Sequence, residues 1–428
     1  MKGEKVLLAM VLGLIFWVPA RPAQASETDA LLNKLVEKGI LTSEEAQEVR
    51  NDMAKDSGPA AKMREEDTKD VVRKMAGGRW LDMVKWSGDL RLRHESQFRE
   101  PAVDRQRERF RLRFGFTAKP WNPLEIGVRL ASGASGDPLS TNQSFSSTFD
   151  KKPIFIDKAY AKYTPWSWVN LVGGKMENPY EAIQEEIVWD SDVTPEGVAV
   201  QFKSPAALPG LKEVLPVTPF LNMGAFQIQE FSGDEGDPAL FGFQGGANID
   251  LPRGVVFQPS VAYYDFTAIQ GTKTSLITSA PAGNRTITEG AATKFAFDYN
   301  LVDVLGKLMF PEFLGQPVAF VGDFTRNTAA SDNNTGWLAG AEVGKVTEKL
   351  GSWRAFYYFK RLENDTTFGG LADSDFGGGG TNHFGHIFGL QVGLNKYVSL
   401  GAKYLRTDEI NGAQTHNDTL QLDLQTKF

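Results

Sequence analysis

The chain has 428 residues, of which 41% are hydrophobic, a formal net charge of −7 and no cysteine. The mean hydropathy of −0.29 excludes a bundle of membrane-spanning helices, because each such helix needs about 20 mostly apolar residues. The absence of cysteine excludes disulfides and thiolate metal sites, and the acidic balance argues against a nucleic-acid partner.

The N-terminus has the features of a secretory signal peptide. Lys2 and Lys5 precede an apolar run over residues 6–18, and Ala23-Gln24-Ala25 offers a small-residue cleavage site. The run is too short for an anchoring helix that crosses a bilayer. We predict that residues 1–25 are a signal peptide that is removed on export.

Residues 26–75 are predicted to form a periplasmic helical segment and linker. Apolar residues at helical spacing stop at Gly39, and Thr42-Ser43-Glu44-Glu45 matches a capping box that opens a second helix. Helices this short are marginal alone in water, so we expect them to contact copies of themselves or another envelope component. The alternative is a mobile charged leader.

From Val84 onward the hydrophobic pattern has period two, which is typical of strands with one apolar and one polar face. The clearest case is residues 109–119, where four apolar residues alternate with basic ones. The same alternation recurs over residues 124–130 and 420–428, so it is not confined to one strand. The apolar face of the clearest segment consists of Phe110, Leu112, Phe114 and Phe116, and its basic face of Arg109, Arg111, Arg113 and Lys119.

Short turns such as residues 120–123 and 165–167 alternate with long polar connections such as residues 133–152, 267–291 and the Gly-rich 366–382. This arrangement is typical of membrane barrels. The pattern predicts sixteen strands, which would leave a water-filled lumen. Tryptophans at strand ends fit the aromatic girdles of such barrels: Trp86, Trp121, Trp166, Trp168, Trp337 and Trp353. Strands are predicted near 84–96, 107–119, 123–132, 153–164, 168–176, 197–203, 214–228, 239–250, 254–266, 292–301, 317–325, 335–344, 352–362, 383–394, 397–407 and 417–428.

The expected fold class is therefore all-β, a transmembrane antiparallel β-barrel of about 16 strands over residues 84–428, preceded by the short α-helical segment. Residues 86–95, 107–120, 173–180 and 189–198 carry motifs that resemble the putative porin family of Gram-negative outer membranes. That resemblance implies a trimeric sixteen-stranded barrel in the outer membrane. It also implies that the C-terminal Phe428 serves as the signal that the barrel-assembly machinery reads.

Six arginines on the first three strands share the predicted lumen face, and the connection 177–196 is strongly acidic. By resemblance to general porins, this connection folds into the barrel and narrows it against the arginines, and the opposed charges set a transverse field. One alternative is that the arginines only pair with Asp89, Glu95, Glu108 and Glu125 on adjacent strands. Another is that the connection is an exposed outer loop. The predicted constriction comprises Arg91, Arg93, Arg109, Arg111, Arg113, Arg129, Glu177, Glu181, Glu185, Glu186, Asp190 and Asp192.

The predicted function is passive diffusion of small polar solutes and ions through an outer-membrane porin embedded in lipid. The alternatives are an anion-selective channel and a structural or adhesive barrel anchor. No serine nucleophile motif accompanies the four histidines, and His383 and His386 point to opposite faces of a predicted strand. We therefore expect no enzymatic activity, no cofactor and no metal site. The alternative at Asp373 and Asp375 is weak binding of calcium.

Overall fold

The computed structural model describes residues 83–206, 216–233, 236–277, 282–313, 315–413 and 415–428, together with Val36, residues 42–44 and Gln47. Sixteen antiparallel strands form a closed barrel, and β1 pairs with β19 to complete it. The predicted fold class and strand number are thus confirmed. The barrel strands are β1 (Val84–Glu100), β2 (Arg105–Trp121), β3 (Leu124–Ser132), β5 (Ile154–Trp166), β6 (Val169–Lys175), β7 (Glu196–Lys203), β8 (Val217–Gln227), β9 (Ala239–Asp250), β10 (Val256–Thr267), β13 (Tyr299–Phe313), β14 (Gln316–Asn327), β15 (Thr335–Gly344), β16 (Trp353–Leu362), β17 (His383–Gly393), β18 (Val398–Glu409) and β19 (His416–Lys427), and the loops add β4 (Gln143–Ser144), β11 (Thr286–Glu289) and β12 (Ala292–Phe295).

The period-two pattern decides which side chains face outward. On β1, Trp86 and Leu92 are exposed on the outer surface, whereas Arg93 and Glu95, which follow them in the strand, are buried inside. Apolar side chains outside and polar ones inside are the arrangement that a barrel surrounded by lipid requires. The six tryptophans named above are all exposed, and five of them lie at the end of the barrel where most connections are short; Trp337 lies near the opposite end.

One predicted strand is wrong. The alternation over residues 292–301 belongs largely to a loop hairpin, in which β12 pairs with β11, and the tenth barrel strand is β13, from Tyr299 to Phe313. The inward side chains of β13 include buried Tyr299, Leu301 and Leu305. Because both faces of this strand are largely apolar, its alternation is weak and the hairpin before it gave the stronger signal.

Three long connections fold into the barrel. They are residues 176–195, called here the inward segment, residues 268–298 and residues 363–382. Ile187, Phe295, Phe368 and Phe376 from these connections are at most 1% exposed and pack in one hydrophobic cluster with inward residues of the strands. The strands β8 to β18 therefore enclose a packed core, and the barrel is not a uniformly open cylinder.

The Gly-rich connection 366–382, predicted as a long polar connection, packs inside the barrel. Gly380 has φ of 84°, and a Cβ there would lie 2.2 Å from the carbonyl oxygen of Ala282. Only glycine fits such a close approach in that left-handed conformation. The glycines let the connection pack tightly against its neighbour.

The N-terminal predictions lie almost entirely outside the described residues. Val36, Ser43, Glu44 and Gln47 are helical. The signal peptide 1–25 and the remainder of the helical segment are not described and stay predictions. Among the described residues, no helix is both long and apolar enough to cross a membrane.

Candidate functional site: a charged lumen

The six predicted arginines, called here the arginine wall, lie side by side on the inner face of β1, β2 and β3. The register pairs Arg91 with Arg111 and Arg93 with Arg109 across β1 and β2. Stacking four cations in this way would be unfavourable without intervening carboxylates. Asp89 and Glu95 flank these four arginines along β1, and their negative charges compensate part of the positive charge.

Five of the six arginines pair with carboxylates of the barrel strands. Arg93 donates two hydrogen bonds to Asp423 on β19, of 2.7 and 2.8 Å. The other pairs join Arg111 and Arg113 to Asp89 at 2.8 Å, Arg109 to Glu95 at 3.3 Å, and Arg129 to Asp157.

The alternative of cross-strand ion pairs is thus correct for these arginines, but two of its proposed partners are wrong. Glu108 lies on the outer face and contacts His94, and Glu125 pairs with Lys119 and Lys162. Asp423 on β19 and Asp157 on β5 take their places. Barrel closure brings β19 beside β1, and β5 pairs with β3, which carries Arg129.

The inward segment lies against the inner faces of strands on the other side of the barrel, so it is not an exposed outer loop. The Ile187 amide donates to Asp323 on β14 (3.1 Å), and Lys360 on β16 donates to the carbonyl oxygen of Glu185 (3.0 Å). Val188 and Trp189 are 2% and 4% exposed. Apolar residues in this segment, rather than its charges, provide most of its buried surface.

The acidic residues of the inward segment point to different walls. Asp192 lies 3.6 Å from Arg113, and Glu177 accepts a hydrogen bond of 2.6 Å from Lys158 on β5. Glu185 pairs with Lys403 on β18 at 3.2 Å. Only Asp192 among the six predicted acids forms an ion pair with the arginine wall.

The remaining three predicted acids, Glu181, Glu186 and Asp190, make no ion pair within the part of the chain that the structure describes. The Glu181 backbone exchanges hydrogen bonds with the Gln244 side chain on β9, both of 2.7 Å. Asp190 accepts backbone hydrogen bonds of 2.8 Å from Asp192 and Ser374. These contacts hold the segment in place rather than oppose charge to the arginines.

A network of charges that the sequence did not reveal links the inward segment to the connection 363–382. Lys360 contacts Asp373 at 3.0 Å, and Lys403 contacts Asp375 at 3.1 Å, while Asp375 also lies 3.5 Å from Arg93. Burial alone would raise the pKa of Asp375, but Lys403 and Arg93 hold it well below its usual range. Asp373 and Asp375, the two residues named as weak calcium ligands, thus form ion pairs with lysine and arginine side chains.

Alternation alone could have placed Lys360 and Lys403 on the inner face. Their neighbours at two-residue spacing, Tyr358, Leu362 and Leu405, are themselves buried inside and apolar. Each lysine is therefore an isolated basic residue on an otherwise apolar inner face, and the sequence contains no alternating basic pattern around it.

Buried carboxyl groups lie where the inward segment meets β13 and β14. Glu186, Asp303 and Asp323 are 8%, 6% and 4% exposed, and Asp303 accepts a hydrogen bond of 2.6 Å from Thr325. Burial, reinforced by the charge of Asp303, raises the pKa of Glu186 well above its usual range. Burial likewise raises the pKa values of Glu185 and Asp190.

The part of the lumen that the structure describes includes two large cavities. One, of about 660 Å³, is bounded by the arginine wall and the inward segment and extends to Gln391, Ser399 and Gln425 near the short-turn end. The other, of about 610 Å³, is lined by the connections after β3 and β8 at the long-loop end. Both are lined by Trp189, Asp192, Val193 and Thr194, so this part of the inward segment borders both cavities.

The inner cavity is highly charged. Eight basic and eight acidic side chains line it, and the basic ones include every arginine of the wall except Arg109. Burial raises the pKa values of Glu186 and Asp190 and so disfavours their charged forms, which weakens the acidic side of this lining. Within the described residues, no three His, Asp or Glu side chains form a group that could hold a metal ion.

The C-terminal residue completes the barrel. Phe428 and Gly88 on β1 exchange backbone hydrogen bonds of 2.9 and 3.0 Å, and the Phe428 ring covers the Cα of Gly88, where a Cβ would lie 2.5 Å from the ring. The terminal aromatic residue is therefore part of the closing seam.

Comparison with known proteins places this architecture. The model of the family described as putative porin matches residues 98–307 and 293–428. No curated protein matches the chain. Similar solved structures include OprB of Pseudomonas putida at low pH (10% identity, 81% of this chain and 94% of that chain, TM-score 0.47) and a triple mutant of the Rhodopseudomonas blastica porin (10%, 81% and 100%, TM-score 0.45). A third is OmpF of Salmonella typhi in complex with daunomycin (11%, 81% and 97%, TM-score 0.45).

These structural similarities are low, and the assignment rests on the family match, which spans most of the chain from β1 to the C-terminus. The match agrees with the resemblance noted in the sequence and with the closed sixteen-stranded barrel. The chain belongs to the putative porin family and is an outer-membrane channel protein.

Proposed function

We propose that the protein is a passive diffusion porin whose solute path follows the arginine wall, with the inward segment as its narrowing element. The observation that supports this most directly is the position of the inner cavity. The inward connections pack against β8 to β18, and the space that remains is bounded by Arg91, Arg93, Arg111, Arg113 and Arg129.

The charges along this path favour polar solutes and disfavour apolar ones. Asp192 borders both cavities and lies 3.6 Å from Arg113, so a solute that passes from one cavity to the other crosses between opposite charges. Such a field orients dipolar solutes and water. Burial disfavours the charged forms of Glu186 and Asp190, which weakens the acidic side of the cavity lining, and we therefore infer a preference for anions over cations.

Single-channel conductance of the refolded protein in a planar lipid bilayer tests this proposal. Stepwise currents are expected, and a reversal potential of the sign for anion preference is expected in a salt gradient. A well-folded barrel that carries no current would contradict the proposal and favour a structural or adhesive barrel, in which the packed lumen serves stability alone.

Cysteine labelling locates the path. The native chain has no cysteine, so a single introduced thiol is the only target of a methanethiosulfonate reagent. Gln425 lines the inner cavity, whereas its neighbour Leu424 is exposed on the outer face. A bulky reagent is expected to reduce the current through Gln425→Cys and leave Leu424→Cys unchanged. Equal effects on the two variants would mean that the current does not pass through this cavity.

We also infer export by the signal peptide 1–25, assembly as a homotrimer, and recognition of the C-terminal strand with Phe428 by the barrel-assembly machinery. Membership of a porin family supports the trimer, and the terminal aromatic residue supports the assembly signal. The helical segment 26–75 is proposed to contact copies of itself or another envelope component. Cross-linking of the protein in intact outer membranes tests both associations, and a purely monomeric pattern would contradict the trimer.

A further inference from the structure

Arg91 differs from every other arginine of the wall. Its closest carboxylate oxygen belongs to Asp423 and lies 4.0 Å away. Asp423 already accepts two hydrogen bonds from Arg93, so it is committed to another guanidinium group. The remaining wall arginines each pair with a carboxylate at hydrogen-bond distance, as described above.

Apart from Asp423 at 4.0 Å, the contacts of Arg91 are with neutral or like-charged groups. Its Nη2 donates a hydrogen bond of 2.7 Å to the side-chain oxygen of Asn142, and its Nε is buried without an acceptor in the described protein. The register places Gln425 on one side of it and Arg111 on the other. A largely buried guanidinium group with no carboxylate at hydrogen-bond distance is incompletely compensated, so an anion that binds it directly would be stabilised there.

The space beside Arg91 can hold a small solute. Arg91, Asn142 and Gln425 all line the inner cavity of about 660 Å³. The planar guanidinium matches a carboxylate group, and side-chain amides donate to its remaining lone pairs. Among the described residues, Arg91 is the one wall arginine whose hydrogen-bond acceptor is a neutral group rather than a carboxylate, and a single such guanidinium fits one negative charge better than two.

Building on the proposed channel function, we propose that Arg91, with Asn142 and Gln425, forms a binding subsite for the carboxylate of a small organic monoanion in the lumen. The subsite binds weakly enough for release, since a channel that holds its solute tightly does not conduct it. The solute passes from the acidic narrowing at Asp192 to this subsite.

Block of the chloride current by potassium benzoate measures the subsite in planar bilayers. In Arg91→Gln the half-blocking concentration is expected to rise about tenfold, the usual effect of losing one charged hydrogen-bond partner. Arg113→Gln is the matched control, because it removes one charge from the same cavity while Arg111 still pairs with Asp89. The control is expected to change the block by less than about threefold.

Arg91→Lys keeps the charge and is expected to restore part of the block, which separates loss of the contact from faulty folding. Equal effects of Arg91→Gln and Arg113→Gln would overturn the proposal, since the field of the cavity would then act without a specific site. Stronger block by inorganic phosphate than by benzoate would overturn the assignment to a monoanion.

Calorimetric titration of the detergent-solubilised barrel with benzoate measures the same site without any current. Binding that is lost in Arg91→Gln supports the subsite even if the barrel does not conduct, in which case the channel proposal alone fails. Absence of benzoate binding to a conducting wild-type barrel overturns the subsite and leaves the channel proposal standing.

Discussion

Replacing Glu186 by glutamine is expected to strengthen the packing of the inward segment at neutral pH. Glu186 is buried where this segment meets β13 and β14, close to Asp303, and its pKa is raised well above 4.5. When the segment opens, the carboxyl group enters water and regains its ordinary pKa. The packed state therefore binds more protons than the open state, and its stability falls as the pH rises from the ordinary pKa toward the raised one.

The size of the effect follows from this linkage. Each pH unit inside the window costs the packed state about 1.4 kcal/mol, so between pH 5 and 7 the loss is at most ~2.7 kcal/mol. Glutamine has nearly the same shape and no charge to lose. In Glu186→Gln we expect the opening free energy to depend less on pH over this range than in the wild type, with Glu185 and Asp190 accounting for the remainder, and to exceed that of the wild type at pH 7.

Hydrogen exchange of the amides of residues 183–190, corrected for the intrinsic pH dependence of exchange, measures the opening free energy. Glu177→Gln is a control in the same segment: burial would raise the pKa of Glu177, but the hydrogen bond from Lys158 lowers it overall. That variant is expected to weaken the packing at neutral pH. If Glu186→Gln and the wild type showed the same pH dependence, the reasoning from buried charge would be wrong.

Three further changes probe other parts of the lumen and its closure. Asp192→Asn removes the acid that faces Arg113 and should move the reversal potential further toward anion preference; an unchanged potential would exclude Asp192 from the solute path. Lys403→Met leaves Glu185 and Asp375 without their shared cation and should destabilise the packed lumen by about 3 kcal/mol. The expected result is a lower melting temperature in detergent, and an unchanged melting temperature would show that these ion pairs do not contribute to stability. Deletion of Phe428 removes the backbone pairing with Gly88 and should reduce the yield of folded barrel in the outer membrane several-fold, and normal yield would argue against its role in assembly.

The sequence by itself determined the barrel, its strand number and the face on which each arginine lies. Strand side chains alternate strictly, so a lipid-facing apolar stripe fixes the inward set without any knowledge of neighbours. The prediction failed at β13, where inward residues are apolar because the connections pack against them. When both faces of a strand are apolar, the alternation of apolar and polar residues that predicts a barrel strand is lost.

Tertiary structure decided the partners of the charges. Barrel closure brings Asp423 beside Arg93, and the folding of distant connections into the lumen brings Asp375 to Lys403. These pairs are separated by tens to hundreds of residues, and local spacing carries no information about which connections turn inward. For the same reason the sequence could name six wall arginines but could not distinguish Arg91, whose long distance to its nearest carboxylate appears only when all its neighbours are in place.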